Sequence, residues 1–375
     1  MQYLGALIRR KRLEKNWSQA GLSKGICTVS YLSKIEQGKA EPSAEILDAL
    51  LLRLGVARNA SVEADAAQFV RDAYESLFSG DFAAFFELFK TDYRRFETTA
   101  SGLHVLLLAC AAGLSPLPDA ALVPCMDARA LALYRVLEGN FEEAIRLHPN
   151  AYFHFCAGKH AYENGRYQNA LAHLRTGYEL AAECGAARLM MECKTRTGNC
   201  MSDLGELAQM LAEYDAARRL AVAVSETDVV STIDYNIASS YIESGDCERA
   251  YAYFSSLTSP SMLALHKLAI CCEKTGRTEE ALAALDRADA ASSEYPPTET
   301  VRLFLDVVRY RLQHPEYLAH AAYGELLLHC FERCRKELPA GYAVFHLPWV
   351  LEWYRATRQY KKALDLLSDF PNIRS

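Results

Sequence analysis

Between positions 18 and 39 the chain gathers short polar and basic side chains, Ser18, Gln19, Thr28, Ser30, Tyr31, Lys34 and Lys39, around the apolar residues Leu22, Ile26, Leu32 and Ile35. Hydroxyls and amides of this size either cap helix starts or bond base edges and phosphate oxygens, and lysine supplies the charge that phosphate attracts. Ser18 reads as the N-cap of a short helix beginning at Gln19. Thr28 reads as the cap of a second, over about residues 28 to 37, in which Leu32 and Ile35 turn inward together. That register leaves Thr28, Val29, Ser30, Tyr31 and Lys34 facing out. Gly25 loosens the chain near the turn, and Gly38 suits the left-handed end of the second helix. Pro42 opens an element whose stripe is Ile46, Leu47, Leu50 and Leu54. Upstream, Leu4, Leu7 and Ile8 begin an amphipathic first helix.

Four or five helices in under sixty residues, the second and third joined tightly, resemble the Cro and lambda-repressor type of helix-turn-helix, the XRE family. The resemblance covers about residues 3 to 57 and is carried by Arg12, Gln19, Leu22, Ile26, Leu32, Ser33, Glu36, Gly38, Pro42 and Leu47. The segment after Leu22 is one residue shorter than the common pattern. With Gly25-Ile26-Cys27 and Ser30-Tyr31-Leu32-Ser33-Lys34-Ile35-Glu36 it is similar to the peptide-pheromone-responsive regulators of Gram-positive bacteria, the RNPP group of quorum sensors. The resemblance implies a third helix in the major groove of double-stranded DNA, with Thr28 and Tyr31 on the same face. Val29 is expected to meet a thymine methyl, Ser30 to bond bases, and Lys34 to reach guanine O6 or N7. Ser18 and Gln19, with Arg10 and Lys39, are expected on phosphate. Arg12 and Glu36 are expected to pair and join the first and third helices.

The charge distribution agrees with that placement. The chain carries a net −6, but residues 1–57 carry +4 and the remainder −10, which puts the phosphate-attracting charge at one end. One head of this size makes few base contacts, so a homodimer on a palindromic operator is expected, its half-sites one helical turn or a multiple apart. The first residues lack a signal-peptide pattern. A cytoplasmic protein is therefore expected, with its twelve cysteines reduced and acting as small apolar residues. Cys330 and Cys334 beside His329 are the one candidate metal group, and without a second cluster at zinc-ligand spacing no metal or cofactor is expected. The longest apolar run, Leu103 to Leu114, is about twelve residues, interrupted by His104, and reads as a buried helix, too short to span a bilayer. A phosphate-binding glycine loop, a His-Glu-x-x-His pair and a nucleophile elbow are all missing, so an enzyme is not expected.

From about residue 60 onward the recurrent feature is a turn followed by a helix, at Gly80, Gly139, Gly165, Gly245, Gly276 and Arg358. In five of the six an alanine lies five residues past the turn's first residue, where a small side chain lets two helices approach. The pattern resembles the tetratricopeptide repeat, degenerate in spacing and poorly formed near Leu204-Gly205-Glu206. The fold class is thus all-α, with a helix-turn-helix head over residues 1–60 and a tetratricopeptide-like α-solenoid for sensing and dimerisation over 61–375. An irregular helical bundle is the alternative. Counting back from the turns places Tyr152, Lys159, Tyr162, Arg196, Asn199, Tyr235, Asn236 and Lys267 on the concave side. There the amides suit a peptide backbone and the cations a carboxylate. The related regulators use inner-helix asparagines in this way, which implies a short peptide ligand that modulates DNA binding. A protein-adaptor role without a small ligand is the runner-up, and an array acting on a phosphoprotein is a third reading.

Overall fold

The computed structural model describes residues 2–56, 59–291 and 296–370, and all regular elements among them are helices. The chain divides into two compact units, one of residues 1–156 with 179–189, the other of 157–178 with 190–375.

The first unit begins with α1 (Gln2–Glu14), α2 (Gln19–Ser23), α3 (Val29–Glu36) and α4 (Ala44–Arg53). Three hydroxyls set three of these starts by accepting otherwise orphaned N–H groups. Ser18 Oγ takes Gly21 at 3.0 Å, Thr28 Oγ1 takes Tyr31 at 3.2 Å, and Ser43 Oγ takes Ile46 at 3.4 Å. The last cap starts α4 after Ser43 rather than at Pro42. Leu4, Leu7, Ile8, Leu22, Leu32, Ile35, Leu47, Leu50 and Leu54 close into one core, with Ile26 and Ile46 half-buried at its edge. Across this core Arg12 donates to both oxygens of Glu36, at 2.7 and 2.8 Å, tying α1 to α3 in the expected pair.

The head does not end its packing at residue 60. Leu103, Leu106, Leu122 and Met126 extend its core, and the Tyr3 hydroxyl donates to the Glu97 carbonyl at 2.6 Å. The same unit holds α5 (Ala60–Ser79), α6 (Phe82–Leu88), α7 (Gly102–Ala111), α8 (Ala128–Leu137) and α9 (Phe141–Leu147) around buried Phe69, Phe85, Phe89, Phe96 and Phe153. The apolar run at Leu103 forms α7, with Leu103, Val105, Leu107 and Leu108 buried. Among the described residues no helix is long and apolar enough to cross a membrane.

The following helices are α10 (Ala151–Glu163), α11 (Tyr167–Glu183), α12 (Ala187–Asp203), α13 (Leu207–Ala223), α14 (Thr227–Glu243) and α15 (Cys247–Ser256). After them come α16 (Met262–Lys274), α17 (Thr278–Ala291), α18 (Glu299–Gln313), α19 (Ala321–Glu337), α20 (Ala340–Ala356) and α21 (Tyr360–Ser368). From α11 to α15 each helix starts twenty residues after the last. Ala170, Ala250 and Ala281, the small residues after the turns, are wholly buried. The repeat at Gly205, expected to be poorly formed, is complete: α12 and α13 are seventeen residues each. Met210 stands where five of the other turns are followed by alanine, and a close approach is kept at Gly198, where an added Cβ would lie 2.6 Å from the Tyr214 ring, as at Gly158 seven residues before Gly165. The turn before α14 was hidden for a different reason. Ser225 adopts the left-handed conformation there, at φ +62°, as Arg358 does at its turn, but without the alanine that lies five residues past Arg358.

Candidate ligand cavity and DNA-reading head

Within the second unit, the C-terminal parts of α12 and α14 and the N-terminal ends of α16 and α20 surround a cavity of about 340 Å³. Six of the eight residues expected on the concave side, Tyr162, Arg196, Asn199, Tyr235, Asn236 and Lys267, line it together. Repeat register explains the convergence. Arg196, Asn236 and Lys267 each lie nine residues before a turn glycine, so stacked repeats bring them to one strip.

Two expected residues are not in this group. Tyr152 belongs to the aromatic core of the first unit, with its ring 5.7 Å from Phe78 and 6.4 Å from Phe82. A third ring, Phe153, lies 5.8 Å away. Lys159 stays half-exposed, 3.9 Å from Glu163 one turn along α10, and does not line the cavity.

The amides are oriented by their neighbours. Asn199 Oδ1 accepts from the Tyr214 hydroxyl at 2.7 Å and from Asn236 Nδ2 at 3.3 Å, which directs the Asn199 amino group and the Asn236 carbonyl to other partners. Beside them Ser202 and Ser240 share a hydrogen bond at 2.6 Å, and Ser240 also donates to the Asn236 carbonyl of the backbone at 2.9 Å. Asp203, Glu243, His266 and His346 were not foreseen and line the same cavity. The two acids sit two residues before turn glycines, a register that counting from Gly205 and Gly245 would have found. His346 lies on α20, twelve residues before the Arg358 turn and so out of the nine-residue register of Arg196, Asn236 and Lys267.

Burial governs the charges here. Desolvation pushes the Asp203 carboxyl up to about 8, helped by the charge of Glu243. Burial likewise raises Glu243 to about 7 and lowers Lys267 to about 7, each effect moderated by the attraction between the two. His266 is held well below the usual imidazole range by burial first and by Lys267 second, so it is a neutral ring. It stacks on Phe304 at 5.4 Å, and Phe304 stacks on His346 at 4.8 Å. Both nitrogens of His266, Nε2 of His346, Oγ of Ser239, Nε of Arg196 and Oδ2 of Asp203 are buried without a hydrogen-bond partner among the described residues. Each such group costs about 1–3 kcal/mol until something bonds it. Native interiors hold few of them, and the residues that carry these six atoms line one cavity. A second cavity of about 460 Å³ shares Ser202, Asp203, Ser240, Glu243 and Phe345 with the first and continues along Leu207, Met210, Pro348 and Trp349.

In the head, Thr28, Val29, Ser30, Lys34 and Lys39 are exposed, and Val29 is 45 % exposed although apolar. Ser18 and Thr28 use their hydroxyls as caps. Gln19 is turned inward, its Nε2 donating to Glu36 Oε2 at 2.9 Å, so a phosphate bond from this side chain requires it to leave that carboxylate. Tyr31 donates to the Glu41 carbonyl at 3.0 Å, and Arg10 lies 3.7 Å from Glu14 on an exposed face. Elsewhere, Cys330 and Cys334 are buried, with Cys334 3.9 Å from the ring of His346, while His329 faces Glu299 at 3.6 Å.

Caps, ion pair and exposed third helix define an XRE-type helix-turn-helix head on an all-α repeat array, and residues 8–59 match the family model described as Helix-turn-helix. Among solved structures the chain is similar to a Rap protein in complex with Competence and Sporulation Factor. The identity is 14 %, over 83 % of this chain and 97 % of that one, with a TM-score of 0.60. It is also similar to aspartyl phosphate phosphatase F from Bacillus subtilis at 13 % identity, over 85 % and 96 % of the two chains, with a TM-score of 0.52. PlcR from Bacillus thuringiensis, solved with the peptide PapR7 and DNA, aligns at 17 % identity over 62 % of this chain and 99 % of that one, with a TM-score of 0.32. No curated protein matches the chain.

Proposed function

We propose that the chain is a dimeric, cytoplasmic transcription regulator whose repeat region, residues 61–375, binds a short signalling peptide that modulates operator binding by the head, residues 1–60. The observation that carries this reading is the convergence of Arg196, Asn199, Asn236 and Lys267 on one cavity lined with unsatisfied polar groups. An extended peptide offers one donor and one acceptor per residue. The Asn199 amino group and the Asn236 carbonyl bond them, while Arg196 and Lys267 hold a carboxylate. The fold supports the reading, since one similar structure was solved with a bound factor.

In the head, α3 enters the major groove with Val29, Ser30 and Lys34 at base edges and Thr28 and Tyr31 beside them, while Arg10, Ser18, Gln19 and Lys39 hold phosphate. A ligand acts on such a system only through its unequal affinity for two shapes of the protein. The test is selection of heptapeptides from a random display library on the full-length chain, repeated on Asn199→Ala/Asn236→Ala. Enrichment on the wild type that drops at least tenfold on the double variant is expected. Equal enrichment on both proteins removes the asparagines from the site.

A further inference from the structure

A cavity of about 1040 Å³ lies in the first unit between α1, the turn after α3 and the loop leading to residue 125. Its size is that of a pocket for a small organic molecule. Leu7, Leu13, Leu106, Leu117 and Leu122 supply an apolar wall. Leu13 is 53 % exposed on α1, an apolar surface with no packing role in the head. Cations outnumber acids on the rim once Lys11 and Arg12, the partners of Glu14 and Glu36, are counted with it, although Asp119 keeps its charge. Of its acids, Glu36 is held by Arg12 and Gln19, Glu14 by Lys11 at 2.8 Å, and Asp119 caps the N–H of Ala121 at 2.8 Å. Arg9 and Lys39, also on the rim, are exposed and have no ion-pair partner among the described residues. In the wall, Ser115 Oγ is buried with no hydrogen-bond partner among them.

An apolar interior with spare cations at its mouth is complementary to one kind of ligand. We infer that this cavity binds a small amphiphile with an apolar body and a single anionic head, of the fatty-carboxylate class, the head on Lys39 and Arg9 and the body against Leu13, Leu106 and Leu117. DNA offers phosphate without an apolar body and does not fill such a space. The site is independent of the peptide cavity, which belongs to the other unit. Lys39 is also among the expected phosphate contacts, so the test is run without DNA.

The experiment is isothermal titration of the full-length chain with decanoate and, separately, with decyltrimethylammonium. Saturable binding of one decanoate per chain is expected, at least tenfold tighter than the cation. Arg9→Glu/Lys39→Glu should weaken decanoate at least tenfold, and so should Leu117→Glu, with far-UV circular dichroism unchanged. Should Leu117→Glu fail to fold, the double variant on the exposed rim decides alone. Equal binding of the two amphiphiles, decanoate binding untouched by the rim reversal, or recovery of the chain only on phosphatidylglycerol vesicles would each overturn the proposal. So would sedimentation showing that a second copy of the chain covers the cavity and excludes decanoate.

Discussion

At the scale of single residues, two buried charge arrangements separate folding from recognition. The Arg12–Glu36 pair is almost wholly buried, with side-chain exposures of 9 % and 2 %, and doubly hydrogen-bonded. Removing one partner strands the other, so Arg12→Ala should destabilise the head by about 3–5 kcal/mol. Hydrogen exchange on the full-length chain reads this as lost amide protection in α1 and α3, and unchanged protection would contradict the role. Asp203 gives a signed pH dependence. Its carboxyl is held at about 8 by burial, against about 3.9 in the unfolded chain. The folded state therefore keeps a proton that the unfolded state has lost. This contribution is whole below about pH 4 and disappears as pH rises towards 8. Glu243, raised to about 7, acts with the same sign over the lower part of that window. His266, kept neutral by burial, opposes this below about pH 6.5, so the test compares variants: between pH 5 and 7 the urea-unfolding free energy of Asp203→Asn should fall less with pH than that of the wild type, by up to about 1.4 kcal/mol per pH unit. A profile equally steep in the variant would place the linked proton elsewhere.

At the scale of elements, helix starts and close approaches hold the frame. Thr28 caps α3, and Thr28→Ala should cost about 1 kcal/mol while fraying the first turn of the reading helix. Gly198→Ala forces a Cβ against Tyr214, with an expected cost of about 1–3 kcal/mol. Because Tyr214 orients Asn199, that variant should also weaken peptide capture, whereas a purely structural role would shift stability alone. These elements also show what was legible in the sequence. The caps at Ser18 and Thr28, the inward Leu32 and Ile35 and the turns at Gly165, Gly245 and Gly276 follow from local chemistry and were readable. The turn at Ser225 was not, because it has neither a glycine nor an alanine five residues on, where Val230 stands, whereas the left-handed Arg358 is followed by Ala363. The repeat register brought Asn199, Asn236, Arg196 and Lys267 to one strip, yet counting back from turns misplaced Tyr152, whose surroundings are the aromatic core of the first unit. Tyr342, Phe345 and His346 were beyond local reasoning altogether. They reach the cavity through the long-range return of α20, which no short-range pattern encodes.

At the scale of the whole molecule, one unit carries a helix-turn-helix whose third helix exposes Thr28, Val29, Ser30 and Lys34, and the other a cavity lined by Arg196, Asn199, Asn236 and Lys267. The proposed function requires that the two be energetically coupled. Coupling free energies of this kind are typically about 1–3 kcal/mol, or roughly 5- to 150-fold in affinity. The decisive measurement is fluorescence anisotropy of a labelled duplex, selected from random DNA on the full-length chain, titrated with and without a saturating heptapeptide from the display selection. The account predicts that the peptide changes the duplex Kd at least fivefold, and that Asn199→Ala/Asn236→Ala abolishes the change. An identical Kd with and without bound peptide would contradict it.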